Sequence, residues 1–342
     1  MKVIVAHAAK DLRVETREMP EPGPGQVRVK MAAGGICGSD LHYYNHGGFG
    51  AIRLREPMIL GHEVAGHVDA LGAGVDSLSV GALVAVSPSR PCGHCAYCAK
   101  GQQNHCLNMR FYGSAMPFPH IQGAFREFIV ADLAQCADAG DLTAGEAAMA
   151  EPLSVVLHGA RHAGDLMGKR VLVTGCGPIG LLAVLVARAA GAVDIVATDI
   201  ADFTLRKARQ VGADRGINVA TETDPLGAYA ADKGYFDVLF ECSGVASALA
   251  SAVPALRPAA TIVQLGLGGD MTLPMQAMTA KELQLKGSFR FHEEFTTAVD
   301  MMRCGRLDVK PLITHRIGID DATSAFELAS DRSQAIKVNV TF

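Results

Sequence analysis

The first 150 residues carry short alternating runs broken by glycine and proline. Val27-Arg28-Val29-Lys30-Met31 alternates apolar and polar positions as a half-buried strand does, just after the turn-rich stretch 20–25. Stretches 64–71, 83–86 and 125–130 predict further strands, and many short strands of this kind predict a β-barrel-like unit. Near Ala150 the pattern changes. Residues 151–163 predict a helix, with Pro152 tolerated in its first turn. Strands at 170–174, 194–199, 236–241 and 261–265 then alternate with helices, among them 179–190 and 205–211. That order predicts a parallel sheet covered by helices on both faces. After Lys286 the pattern loosens, and 336–340 alternates as one more strand. The expected division is 1–150 for the first unit and 151–285 for the nucleotide unit, with 286–342 returning to the first.

At 342 residues, 49% hydrophobic and 19% charged, the chain can bury two cores. A net charge of −4, with no run of lysine or arginine, gives no electrostatic reason for a nucleic-acid or anionic-membrane partner. Residues 171–187 carry no charge, but Gly175, Gly177, Pro178 and Gly180 interrupt them. A strand, a turn and a buried helix fit this stretch better than a membrane span. No secretory signal is expected from residues 1–7, so the expected location is cytoplasmic. Nine cysteines, an odd number, argue against a disulfide framework.

Cys92, Cys95, Cys98 and Cys106 have the form C-x2-C-x2-C-x7-C, which can close a tetrahedral zinc site of structural type. Gly175-Cys176-Gly177-Pro178-Ile179-Gly180 is a G-x-G-x-x-G between a strand and a helix, and Asp199 ends the next strand. This is the full context of a dinucleotide site, with Asp199 favouring NAD over NADP. Arg206 and Lys207 lie near enough to soften that preference. Cys37, His62 and Glu63, with Glu151 at the junction of the two units, offer the donors of an open, catalytic zinc site. Singly, His62 reads as a loop histidine and Glu63 as a surface charge; beside Cys37, Ser39 and His42 those readings lose.

In this order, these motifs resemble the zinc-dependent medium-chain alcohol and polyol dehydrogenases over essentially the whole chain. The resemblance rests on Gly61-His62-Glu63-Val64-Ala65-Gly66 with Gly72, the cysteine quartet, the glycine motif and Asp199. Segment 37–44 has the sorbitol-dehydrogenase-like form. The implied fold is α/β, a Rossmann doubly wound parallel sheet plus a β-rich GroES-like barrel carrying the catalytic residues. The resemblance implies NAD held by Gly175, Gly177, Pro178, Ile179, Gly180, Asp199, Gly244, Gly266 and Arg290. It also implies two zincs per chain, one structural and one catalytic. Cys37 and His62 bind the catalytic zinc, Glu63 is a ligand or lies just behind one, and Glu151 holds a water or approaches the metal directly. Ser39 and His42 carry the substrate proton away. Arg290 grips the substrate, and Tyr43, Arg110, Phe111, His120 and Phe291 wall the pocket.

Segments 109–116, 118–120 and 287–291 resemble the branch acting on sugar acids. They imply hydride transfer between NAD and a secondary hydroxyl, L-idonate giving 5-keto-D-gluconate. The alternatives are a sorbitol- or xylitol-type polyol dehydrogenase and, remotely, a non-catalytic zinc-stabilised binding protein. A homodimer or homotetramer is usual in such families. Ala82 stands where the family often has aspartate, and no basic residue stands at 200–203, where relatives often carry one.

Overall fold

The computed structural model describes all 342 residues. Strand Gln26–Gly35 is the axis of the first sheet, which runs Cys136–Asp138, Leu83–Val86, Glu63–Leu71, Gln26–Gly35, Lys337–Thr341, Ile313–Gly318. Strand Phe128–Asp132 also pairs with Gln26–Gly35. The alternation at 27–31 is the pleat of that strand: Val27, Val29 and Met31 are buried, while Lys30 is exposed. The tail strand pairs antiparallel with Gly35, Gly34 and Ala33, which brings residue 337 beside residue 63.

Two local readings change. The strand predicted at 125–130 begins at Phe128. Phe125 instead plugs the core, fully buried with its ring edge-on to Phe326, and its carbonyl accepts from the Ile4 amide. The N-terminal run forms a strand, Lys2–Ala8, paired with Asp11–Thr16 and Met58–Ile59. Its consecutive buried residues Val3, Ile4, Val5 and Ala6 show no alternation, so period alone does not reveal it.

The second sheet is wholly parallel, in the order Arg215–Asn218, Asp194–Asp199, Arg170–Thr174, Phe236–Glu241, Leu256–Gln264, Gln284–Gly287. This is the doubly wound arrangement expected. The helix predicted from 205 starts at Asp202, an acidic residue suited to the positive end of a helix.

Helix Ala150–Ala163 joins the two parts. It packs on helices Pro178–Ala189 and Glu294–Arg303, and its first turn reaches strand Glu63–Leu71. Leu153 and Val156 share one continuous core with Ala33, Ala65 and Ala85 of the first sheet and Val171, Val173 and Val263 of the second.

Close backbone packing shapes the first sheet at the bulge between Met31 and Ala33. A Cβ on Gly66 would lie 2.1 Å from the Lys30 carbonyl oxygen and 2.7 Å from the Met31 Cα. Gly66→Ala should therefore cost about 3 kcal/mol or more, as overpacking against rigid backbone does. The check is the urea unfolding midpoint; an unchanged midpoint would show that the bulge can yield.

Candidate metal centres and cofactor cleft

Cys37 caps helix Gly38–His46, and Gly61 opens the turn that carries His62. One buried residue ties the two segments together. Asp40, with no solvent exposure, accepts from the Cys37 amide at 3.0 Å through Oδ2 and from the Gly61 amide at 3.0 Å through Oδ1. The same Oδ1 lies 3.7 Å from His62 Nδ1. Gly61 has φ +91, and a Cβ there would enter the Phe125 ring at 2.1 Å, so only glycine permits this approach.

Cys37, His62 and Glu63 bring one donor atom each to within 4.8 Å of one another. His62 Nδ1 is buried without a hydrogen-bond partner. Burial pushes the Cys37 thiol up to about 12, with Glu63 adding to it. Burial likewise pushes the Glu151 carboxyl up to about 8, opposed by His62 and reinforced by Glu63 and Cys37. A thiol, an imidazole and a carboxylate gathered this closely, among groups that burial keeps from ionising, are the donor set a divalent cation stabilises, since the cation reverses both shifts. Glu151 stands outside the tight group but near enough to feel its charges.

Glu63 has a partner that sequence reading missed. Lys337, on the tail strand, donates to both Glu63 oxygens, at 2.8 and 2.6 Å, and to the Ile36 carbonyl at 3.1 Å. Both residues are almost completely buried. Burial pulls the Lys337 ammonium down, but Glu63 and Cys37 outweigh it and its pKa ends up raised. The alternation at 336–340 puts Lys337 on the polar phase with Asn339, so it reads as solvent-facing, yet residues 337–340 are all buried. Asp40, three residues after Cys37 on a helix start, was missed as well.

The cysteine quartet is preassembled as well. Its four sulfurs lie within 4.8 Å of one another, with Cys92–Cys106 at 3.5 Å and Cys95–Cys106 at 3.9 Å. Those separations bracket the edge, ~3.8 Å, of a tetrahedron built on ~2.3 Å zinc–sulfur bonds. Amides donate into it: the Cys92 amide at 3.2 Å and the Asn108 amide at 3.4 Å, both to Cys106. Hydrogen bonds, led by the His94 amide, draw Cys92 down to about 5, while burial pushes Cys98 up to about 12.

On the nucleotide side the glycines touch backbone. A Cβ on Gly175 (φ +84) would lie 2.8 Å from Ser243 Cα, and one on Gly180 would lie 1.8 Å from the Gly175 oxygen. Above Gly177 there is open space, as a pyrophosphate requires. Asp199 accepts from the Cys176 amide at 2.6 Å and from the Ile200 and Ala201 amides at 2.8 and 3.0 Å. Lys207 turns away to Gln210 and the Pro311 carbonyl. Gly244 and Gly266 meet at the ends of neighbouring strands, where a Cβ on Gly266 would lie 2.2 Å from the Gly244 nitrogen. Beneath them the buried Glu241, also missed in the sequence, accepts from the Ser243 and Gly244 amides at 2.9 and 3.1 Å. Gln264 Oε1 and Ser288 Oγ are buried there without protein partners.

The other residues singled out in the sequence divide. Arg290, at φ +56, stacks its guanidinium 4.5 Å over Phe111 and 4.9 Å over Phe289. Burial lowers its pKa, and Glu151 and Tyr43 pull it back up, which places all three in one neighbourhood. The Phe111 ring lies 5.6 Å from that of His62. Tyr43 is buried, its hydroxyl accepting from the Ala115 amide at 3.1 Å. His42 is exposed and Ser39 half-buried on the first turns of their helix. His120 uses both ring nitrogens on the backbone, at Pro117 and Arg55, and so pins its loop rather than facing a ligand. Phe291 stacks on Phe295 in the core, and Arg110 is exposed on a two-residue strand.

Residues 23–141 match the alcohol dehydrogenase GroES-like domain, and residues 178–303 match the zinc-binding dehydrogenase domain. L-idonate 5-dehydrogenase (NAD(P)+) of Escherichia coli K12 is 42% identical over 92% of this chain and 91% of its own. The crystal structure of that E. coli enzyme superposes with a TM-score of 0.95 at 39% identity, over 100% of this chain and 98% of its own. Sorbitol dehydrogenase of Gallus gallus is 36% identical over 98% of this chain and 94% of its own. No helix of this chain is long and apolar enough to cross a membrane. With that likeness along nearly its full length, the chain belongs to the zinc-binding alcohol dehydrogenase family and is an NAD(P)-linked dehydrogenase acting on CH–OH groups.

Proposed function

We propose that this enzyme interconverts L-idonate and 5-keto-D-gluconate, with NAD preferred over NADP. Arg290 carries the reading. Its guanidinium is held over two aromatic rings beside Glu151 and makes no ion pair; its only side-chain hydrogen bond is to Met116 Sδ at 3.7 Å. An unpaired planar fork at the mouth of a metal cage suits a substrate carboxylate, which a sugar acid has and a polyol lacks. The resemblance to an L-idonate enzyme supports the same choice.

Cys37 and His62 would hold the zinc, which would supply Lewis acidity to the substrate hydroxyl, and a bound nicotinamide would supply the hydride acceptor. The chain's own residues do the rest. Glu63 and Glu151 supply charge to the cage, and Asp40 orients His62. Ser39 takes the hydroxyl proton as its own Oγ proton moves on toward His42, one turn along, which releases a proton to water. Burial, then His46 and Arg332, lower the His42 pKa, so its imidazole is neutral near pH ~7, with a ring nitrogen free to accept a proton in passing. The Asp199 carboxylate suits ribose hydroxyls and opposes a 2′-phosphate. Residues 1–150 with 286–342 form the catalytic unit, and 151–285 the nucleotide unit. The outer edge of strand Gln284–Gly287 is unpaired, with Leu285 half exposed, which supports assembly as a homodimer or homotetramer.

Turnover followed by NADH absorbance should be fastest with L-idonate among L-idonate, sorbitol, xylitol and threonine, and Arg290→Ala should raise KM for the acid far more than for any polyol. Good turnover of sorbitol with none of idonate would make this a polyol dehydrogenase. Light scattering on the same sample should give twice or four times the 35.9 kDa chain mass.

The cysteine loop touches the substrate side. Asn104 Nδ2 donates to the Phe289 carbonyl at 3.0 Å, and the His105 ring stacks on Phe289 at 5.9 Å. In Cys95→Ser, bound zinc should drop from two to one per chain, and KM for the acid should rise severalfold more than kcat falls. An unchanged KM would uncouple the loop from Arg290.

Lys337→Met strands the Glu63 charge. In the metal-free enzyme it should cost about 3–5 kcal/mol, the usual penalty for halving a buried ion pair. With zinc loaded the loss should be smaller, because the ion takes over the balancing charge. Equal losses with and without zinc, measured by denaturant titration, would mean that Glu63 and the ion do not share charge.

A further inference from the structure

Outside the sites above, one group of donors has no role so far. His158 and His162 lie four residues apart on helix Ala150–Ala163, one turn from each other on one face. Their Nε2 atoms are 3.3 Å apart. The ring centroids are 4.8 Å apart with the planes at 86°. Two imidazoles meeting head-on along one N–H···N line would hold their centroids well beyond that. At least one ring is therefore tilted off the line joining the nitrogens, and 3.3 Å is about the separation of two nitrogens each ~2.0–2.1 Å from one tetrahedral ion.

The other face of His158 decides its tautomer. Its Nδ1 lies 3.1 Å from Oε1 of the buried Glu294, so Nδ1 carries the proton and Nε2 presents a lone pair. A carboxylate behind an imidazole in this way is the usual support of a metal-binding histidine. Glu294 is itself fixed: its Oε2 accepts from the His292 amide at 3.0 Å, and Arg161 approaches Oε1 at 3.1 Å. Burial, then His158 and Lys286, lower the His162 pKa, which keeps that imidazole unprotonated as well. The His158 side chain is 19% exposed and His162 is half-buried, so an ion can reach the pair from solvent.

We propose that His158 and His162 form a third, exchangeable metal site, binding a borderline divalent ion such as zinc or nickel through two imidazole nitrogens, with water completing the coordination. It is separate from the two zinc sites and does not depend on the substrate reading. The ligand set is imidazole and water, so nickel and zinc bind and magnesium does not.

The test counts metal on the intact, zinc-replete enzyme. Equilibrium dialysis against increasing zinc or nickel, followed by elemental analysis, should show a saturable third equivalent in the wild type. That equivalent should be absent in His162→Gln, with circular dichroism and turnover at stoichiometric zinc unchanged. Magnesium should add none. A wild-type chain that stops at two equivalents would overturn the proposal and leave the pair as a plain hydrogen bond between imidazoles. So would a third equivalent that persists in His162→Gln. If His162→Gln misfolds, nickel-induced shifts of the two imidazole Nε2 resonances in the wild type decide instead: shifts confined to other histidines overturn the site.

Discussion

The site turns on how buried charge is balanced. Cys37, Glu63 and Glu151 bring up to three negative charges together, the two carboxylates almost wholly out of solvent, and Lys337 is the one fully buried cation beside them. Ionised carboxylates and thiolates cannot persist there unpaired. One lysine on the last strand covers Glu63; the remainder calls for a cation. The fold follows from this need. Strand Lys337–Thr341 must return to strand Gln26–Gly35 to bring Lys337 in, and helix Ala150–Ala163 must start at the sheet to bring Glu151 in. The join between the two sheets is thus made where the charges meet.

Much of this was legible. The pleat at 27–31, the strand–glycine–helix run at 170–189 and the four clustered cysteines each express one local rule, and each holds in the structure. The misses are of another kind. Lys2–Ala8 is buried on both faces and shows no period. Asp40, Glu241 and Lys337 act through partners far along the chain or through amides, which residue type alone does not announce. His120 and Phe291 look like pocket residues in the sequence, yet one is consumed by backbone hydrogen bonds and the other by packing. Local rules find donors; only the fold says which donors are left free.

The same distinction separates the two metal-binding regions. The quartet lies on one loop, and its geometry is a property of fifteen consecutive residues, 92–106. The Cys37 group is gathered from two segments pinned by Asp40, with Glu151 and Lys337 arriving from two more. The first can assemble locally, whereas the second exists only when the whole chain has folded.

The dinucleotide platform is backbone laid on backbone. Gly175 rests on Ser243, Gly180 on Gly175, and Gly266 and Gly268 on Gly244. Such a surface offers natural variation almost nothing to work with, because every larger residue there collides with main chain. Change that spares the main chain is thereby left to two rims, the Asp199–Phe203 edge, proposed to meet the ribose, and the Phe111–Arg290 edge, proposed to meet the substrate. Because these rims share no side chain, the choice of electron carrier and the choice of fuel can evolve independently on one unchanging floor.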